Sequence, residues 1–315
     1  MKIYKPFFWN RPKNIISLIL LPITFLVLIF IVLKKKITRA KKFKIPIVCI
    51  GNIYIGGTGK TPLSIDLANE LKSLGKKPVI IKKFYKDHKD EHLLIKKKEI
   101  PLLSEKDRTS SIVLAEKDFD IAILDDGFQD YGIKKDLNIL CFNNKQLIGN
   151  GYVFPSGPLR ESLSSIKKAQ IAVINGENNF IFETKLKKIN PDLKIFYSKY
   201  KLMNQEELKN KNILAFAGIG NPENFFDLLI ENRLSVKKTI AFPDHYNFKR
   251  KEILEIIEQA KERNYTVLTT EKDFFRIKNF EFSEITPCKI NLEITEKLKL
   301  MSLIKKNILF VFTKM

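Results

Sequence analysis

The sequence predicts an α/β protein, with parallel sheets in a larger and a smaller domain behind an apolar N-terminal helix. Three observations lead there. Short runs that are apolar on both faces alternate with helical patterns, as a parallel sheet covered on both sides requires. The chain has 315 residues, enough to bury two cores. Residues 15 to 33, "IISLILLPITFLVLIFIVL", carry no charge over nineteen positions, close to the roughly 20 needed to cross a bilayer core.

At the N-terminus, Lys2, Lys5, Arg11 and Lys13 precede this stretch and seven basic residues follow it between Lys34 and Lys44. No small-residue cleavage site follows, so residues 1–44 read as a retained membrane anchor, which the basic flanks orient with the main body in the cytoplasm. Pro22 marks a kink within it, which leaves a re-entrant or surface-lying anchor open beside a spanning one. The expected place is the cytoplasmic side of an inner membrane.

The larger domain, 45–205, takes its strands from "IPIVCIG" (45 to 51), "PVII" (78 to 81), "DIAILDD" (120 to 126), "LNILCF" (137 to 142) and "AQIAVI" (169 to 174). The helix after the first run has Leu63, Leu67, Leu71 and Leu74 on one face and Gly75 at its C-terminal cap. The polar stretch "NQEELKNKN" (204 to 212) marks the boundary to a smaller domain, 206–315, with strands at "NILAFAG" (212 to 218), "VKKTIAF" (236 to 242), "TVLTT" (266 to 270) and "KINLEI" (289 to 294), and helices over 222–232 and 249–263.

The net charge of +21 is concentrated at one end, because residues 1 to 45 hold eleven Lys and Arg and no acid. Only eight of the 56 basic residues are Arg. Base and phosphate readout favours Arg interleaved with aromatics, so a nucleic-acid partner is not expected, and no obligate protein partner is evident. Cys49, Cys141 and Cys288 are odd in number and lie in apolar runs. They read as small buried hydrophobes in a reducing compartment.

The chemistry begins at "IYIGGTGKTP", residues 53 to 62, which follows a strand and opens a helix. Backbone N–H groups turned inward at a helix N-terminus cradle phosphate, a geometry glycine permits and the helix dipole reinforces. Gly56, Gly57, Thr58 and Gly59 form the loop, Lys60 reaches the phosphates, and the Thr61 hydroxyl takes a Mg²⁺ position. This is a P-loop of the NTPase type lacking its first glycine, whose place Tyr54 holds. Asp125 and Asp126, ending a neighbouring apolar run, supply the acidic half of a metal site. ATP and Mg²⁺ are therefore the expected cofactors.

Further segments occur in a familiar order: "DDGFQ" (125 to 129), "GNGYVFPSGPLRE" (149 to 161), "GIGNPENFF" (218 to 226), "FPDHYNF" (242 to 248) and "TTEKD" (269 to 273). With the glycine loop they resemble the tetraacyldisaccharide 4′-kinase family over almost the whole chain. That resemblance implies a membrane-associated kinase of lipid A biosynthesis, which transfers the γ-phosphate of ATP to the 4′-hydroxyl of a tetraacyl disaccharide 1-phosphate. It implies catalytic roles for Lys60, Asp90 and His245, and places Asn150, Arg160 and Glu161 on the substrate side. Asp90 belongs to the larger domain as drawn and His245 to the smaller, so as a hydrogen-bonded pair they are expected to meet where the two domains face each other. If Asp90 is not the base, Asp87 and Glu91 are the nearest alternatives. The chain departs from the family pattern at Phe84, His92 and Asp130, which stand where a glycine, a proline and a histidine are usual. The competing reading is a membrane-tethered nucleotide switch of the partitioning or targeting type, which also lacks the first glycine; Tyr54 stands where such switches carry a second lysine.

Overall fold

A computed structural model describes residues 6–12, 14–85 and 89–312. Lys2, Lys5, Lys13 and Asp87, singled out above, lie outside the described residues. The chain divides into two compact units: Lys5–Phe84, Ile100–Lys199 and Glu293–Met315 form one, and Tyr85–Glu99 with Tyr200–Leu292 form the other.

The first unit opens with two helices, α1 (Ile15–Ile19) and α2 (Leu21–Ile37), where the sequence predicts one. The break has a local cause. Pro22 lies in the first turn of α2, where its missing N–H leaves nothing unpaired, and its ring opposes a continuous helix through Leu18. Among the described residues no helix is long and apolar enough to cross a membrane. The orientation of α2 is inverted relative to an ordinary surface helix. Its buried residue is Thr24, while Phe25, Leu26, Phe30 and Leu33 are each at least half exposed.

Strand β1 (Ile47–Gly51) leads through the glycine loop into α3 (Lys60–Ser73), and the chain continues through β2 (Pro78–Lys83), α4 (Lys89–Lys97), β3 (Leu102–Glu105), α5 (Arg108–Asp118), β4 (Ile121–Asp125) and β5 (Leu137–Asn143). After a long loop come β6 (Ile171–Asn175), α6 (Phe180–Ile189), β7 (Lys194–Leu202) and α7 (Gln205–Leu208). The sheet is ordered β12-β7-β6-β5-β1-β4-β2-β3, with β12 at Ile290–Ile294, and its pairings from β3 to β7 are all parallel. β1 lies between β4 and β5, at the point where successive crossovers run in opposite directions, which is where ligands bind in such sheets. The apolar runs are continuous because both faces are covered: every residue of β1, β4 and β6 is buried.

The second unit holds a four-stranded parallel sheet, β11-β10-β8-β9, made of β8 (Asn212–Ala217), β9 (Ser235–Ala241), β10 (Thr266–Thr270) and β11 (Ile285–Cys288). Its helices are α8 (Pro222–Glu231), α9 (Arg250–Glu262) and α10 (Glu271–Ile277).

Two segments depart from the domain boundaries drawn from the sequence. Residues 85–99, including α4, belong to the second unit, where Glu91 and Lys97 of α4 pair with Lys272 (2.6 Å) and Glu271 (3.2 Å) of α10. The run expected as the last strand of the smaller sheet instead borders the larger one as β12, and α11 (Lys297–Phe312) returns to the first unit. Lys297 holds it there through Asp66 (2.8 Å) and Glu70 (2.7 Å) of α3. The three cysteines are free and buried, as expected, and burial pushes the Cys49 and Cys288 thiols up to about 12.

Candidate active site

The glycine loop sits at the carboxyl end of β1. Gly56 (φ 133°) and Gly59 (φ 88°) adopt backbone that side chains resist, and Gly59 is the residue immediately before α3. Asn52 ties the loop from below, its amide donating to Gly56 O (3.2 Å) and Thr58 Oγ1 (3.0 Å). Tyr54 is fully buried and forms a short bridge with Leu159; on either side of it, Ile55 N–H donates to Pro158 O and Arg160 N–H to Ile53 O. Burial pushes the Tyr54 hydroxyl up to about 12. The first-glycine position is thus spent on packing, and it also fixes the PLRE segment beside the loop.

Strand register sets Asp125 at the end of β4 beside Ile50 of β1, which brings its carboxylate to the start of α3. Thr61 Oγ1 donates to Asp125 Oδ2 (2.8 Å), and Asp125 Oδ1 is buried with no hydrogen-bond partner among the described residues. A hydroxyl and a carboxylate oxygen of this kind are hard donors that fit Mg²⁺. Asp126 takes a left-handed conformation (φ 58°) and lies 2.7 Å from Arg160 and 3.7 Å from Lys60. Burial acts to raise its carboxyl, but Lys60 and Arg160 outweigh that and hold it well below the usual carboxylate range.

Two basic residues here escaped the sequence reading. Lys82, the residue directly after the expected end of the second strand, lies buried 2.6 Å from Asp125 Oδ2 and 3.4 Å from Thr61 Oγ1. Arg108, in the first turn of α5, donates to the backbone oxygens of Asp125 (3.3 Å) and Asp126 (2.9 Å) and lies 3.5 Å from Asp130. The departure at Asp130 therefore has a partner of its own. The only sequence sign for Lys82 was a lysine directly continuing a buried apolar run.

The substrate-side expectations divide. Arg160 donates to Asp126 Oδ1 (2.7 Å) and Gln129 Oε1 (3.3 Å). Glu161, almost fully buried, pairs with Lys35 of α2 at 2.5 Å. Asn150 donates to Ser17 Oγ and Ser156 O, each at 3.0 Å, and accepts from Tyr152 N (3.1 Å). Thr24 Oγ1 likewise donates to Ser156 Oγ at 2.7 Å. Asn150 and Glu161 thus hold the N-terminal helices onto the 149–161 loop.

The second unit brings Asp90 and His245 together around a residue that was not foreseen. Asp90 Oδ1 lies 3.9 Å from His245 Nδ1, beyond a hydrogen bond, and Arg276 stands beside both. Arg276 donates to Asp90 Oδ2 (2.6 Å), Asp273 Oδ1 (2.6 Å) and Gly218 O (2.5 Å), and it also contacts His245 Nδ1 at 3.3 Å. A guanidinium only donates, so Nδ1 accepts and the imidazole proton belongs on Nε2. Asp273 also receives Gly218 N (2.9 Å) and Thr270 Oγ1 (2.8 Å); burial raises its carboxyl despite Arg276. The pair thus meets inside one unit, because α4 travels with α10, and not where two domains face each other. The spacing of Asp273 and Arg276, one turn apart on α10, was the available signal for the arginine. Glu91, the described alternative base, is instead paired with Lys272.

The family model for tetraacyldisaccharide-1-P 4′-kinase matches residues 16–309. A protein called tetraacyldisaccharide 4′-kinase from Pelagibacter ubique is 39% identical over 312 residues, covering 98% of this chain and 99% of its own. Another of that name from Bradyrhizobium diazoefficiens is 31% identical, with 96% of each chain covered. Among solved structures, LpxK from Aquifex aeolicus in complex with ATP has a TM-score of 0.70 at 25% identity and covers 93% of this chain and 100% of that one. Set beside a glycine loop, an acidic strand end and an Asp–Arg–His cluster in one chain, these matches leave no room for the nucleotide-switch reading: the protein belongs to the tetraacyldisaccharide-1-P 4′-kinase family.

Proposed function

We propose that the protein binds ATP on the glycine loop and transfers its γ-phosphoryl group to the 4′-hydroxyl of a tetraacyl disaccharide 1-phosphate, a step of lipid A synthesis, at a membrane surface. The observation that carries the nucleotide half is the convergence of Lys60, Thr61, Asp125 and Asp126 at the first turn of α3. Phosphoryl transfer asks a protein mainly for positioning and charge stabilisation. Lys60 and Arg160 supply fixed positive charge, and the N-terminus of α3 adds its dipole. Thr61 and Asp125 would hold Mg²⁺, with Asp126 beside them; when bound, the ion neutralises phosphate oxygens.

In this reading Asp90 and His245 serve the acceptor. A sugar hydroxyl is hardly ionised at neutral pH, so its attack is helped by a group that takes its proton. Arg276 anchors Asp90 and leaves the imidazole oriented through Nδ1.

The membrane half rests on the outward apolar face of α1 and α2, where Ile15, Ile19, Phe25, Leu26 and Phe30 are all more than 60% exposed while the polar Ser17 and Thr24 face inward. Helices docked by their polar residues and apolar outside suit an interfacial anchor lying in the plane of the bilayer, with the Lys34–Lys36 cluster at its end facing anionic headgroups. An enzyme so placed meets a lipid substrate by lateral diffusion on the cytoplasmic face.

The test is transfer itself. Detergent-solubilised protein incubated with γ-labelled ATP and tetraacyl disaccharide 1-phosphate should place label in the lipid at the 4′ position. Label released only as inorganic phosphate would refute the kinase reading.

A further inference from the structure

Lys82 occupies the place where the two expected metal ligands meet. Its ammonium lies 2.6 Å from Asp125 Oδ2 and 3.4 Å from Thr61 Oγ1, while Thr61 gives its own proton to the same carboxylate oxygen at 2.8 Å. Lys82 and Asp125 are both at least nine-tenths buried. A buried carboxylate of this kind needs a positive partner.

We propose that Lys82 is a resident cation that holds Thr61 and Asp125 in place and excludes a divalent ion until nucleotide brings one. The inference rests on reading Thr61 and Asp125 as the metal site. A divalent ion and an ammonium compete for the same place: a metal held by Thr61 and Asp125 would lie against an ammonium 3.4 Å from Thr61 Oγ1 and 2.6 Å from Asp125 Oδ2, so charge repulsion would drive the ammonium off whichever carboxylate oxygen the metal took. The side chain that yields is a flexible four-carbon stem carrying a point charge, suited to swing aside. A bound triphosphate supplies the missing negative charge, for the displaced ammonium as well as for the metal. Metal and nucleotide then load together, and the empty enzyme keeps its carboxylate paired.

The experiment measures Mn²⁺ binding by the electron paramagnetic resonance of the free ion, with and without a non-hydrolysable ATP analogue. A site blocked by a group that is out only about 10% of the time or less loses at least tenfold in apparent affinity. Without nucleotide, Lys82→Met should therefore bind Mn²⁺ about tenfold more tightly than the unaltered protein, and Mn²⁺ alone should raise the Tm of the variant but not of the parent. Lys60→Met removes an equal charge beside Asp126 and controls for simple electrostatics; its gain should be clearly smaller. If Lys82→Met is too unstable to purify, Lys82→Gln, which keeps a donor for Asp125, takes its place in the same measurement. Equal affinity in parent and variant, or an equal gain in Lys60→Met, overturns the proposal and leaves Lys82 as a plain ion-pair partner. If the analogue induces no Mn²⁺ binding in the unaltered protein, the metal site itself has been misread and the proposal falls with it, a result distinct from a gate that fails while nucleotide-dependent binding survives.

Discussion

Two charge clusters are built here from the same kinds of side chain and end with opposite balance. Around Asp125 and Asp126 stand Lys60, Lys82 and Arg160, an excess of cations at a helix N-terminus. Around Asp90 and Asp273 stands the guanidinium of Arg276, with the His245 imidazole next to it. The first arrangement suits a polyanion whose negative charge must be spread in the transition state. The second keeps a carboxylate excess, with Asp90 Oδ1 buried and without a hydrogen-bond partner among the described residues, which suits the receipt of a proton. In the proposed reading, charge balance more than residue type separates the cluster that would bind phosphate from the one that would serve a hydroxyl.

The sharpest way to break this contrast is to empty each cluster in turn. Lys60→Ala and Asp125→Ala should each cost about a hundredfold or more in turnover, the scale on which preorganised stabilising groups act. Near-normal lipid phosphorylation in either variant would remove the phosphate site from the account. In the second cluster, Asp90→Ala and His245→Ala should each lower turnover strongly, and the double variant should be scarcely worse than the worse single one, because residues acting as a unit are non-additive. Arg276→Lys tests the bridge: a point charge cannot make both of its carboxylate contacts, so the variant should lose turnover with its fold retained by circular dichroism. Fully multiplicative losses for Asp90 and His245 would show that Arg276 separates them functionally as well as spatially.

The fold was legible where periodicity was strong, and the nucleotide half of the site where a local pattern dictates geometry. The strands expected around 45–51, 120–126 and 137–142 appear as β1, β4 and β5, since runs apolar on both faces have few other homes. Loop glycines, Lys60, Thr61 and Asp125 assemble because strand, loop and helix are consecutive and β4 is adjacent to β1. What stayed hidden depended on long-range packing. Nothing local in "KDEHLL" says that α4 leaves the sheet domain to join α10, so the place where Asp90 meets His245 was misjudged. Lys82 and Arg276 are charged residues on elements whose burial is set by distant neighbours, and a lone Lys or Arg at such a position reads as solvated. Pro22 signalled a kink in the N-terminal helix, but hydropathy averages over it, so the full break at Leu20 to Pro22 was not legible.

A smaller effect sharpens the same contrast from the structural side. Tyr54→Gly restores the missing first glycine of the loop pattern but deletes a buried aromatic packed by the PLRE segment. It should destabilise the protein by about 3–5 kcal/mol, the range for removing a large buried side chain, without tightening ATP binding. A gain in ATP affinity would mean that the departure limits the site. At the outer helices, replacing Phe25, Leu26 and Phe30 together with Ser removes side chains worth roughly 1.5–3 kcal/mol each when fully buried, and should shift protein from membrane to soluble fraction with turnover on detergent-dispersed substrate little changed. Unaltered sedimentation with membranes would assign the anchor elsewhere.

The division of labour between the clusters is tested most directly by measuring ATP-analogue affinity and lipid phosphorylation in the same preparations of Lys60→Ala and Asp90→Ala. The account predicts that Lys60→Ala loses both nucleotide affinity and transfer, whereas Asp90→Ala binds nucleotide as the unaltered protein does and loses transfer alone. Loss of nucleotide affinity in Asp90→Ala, or transfer that survives it intact, would contradict the assignment of the second cluster to the acceptor hydroxyl.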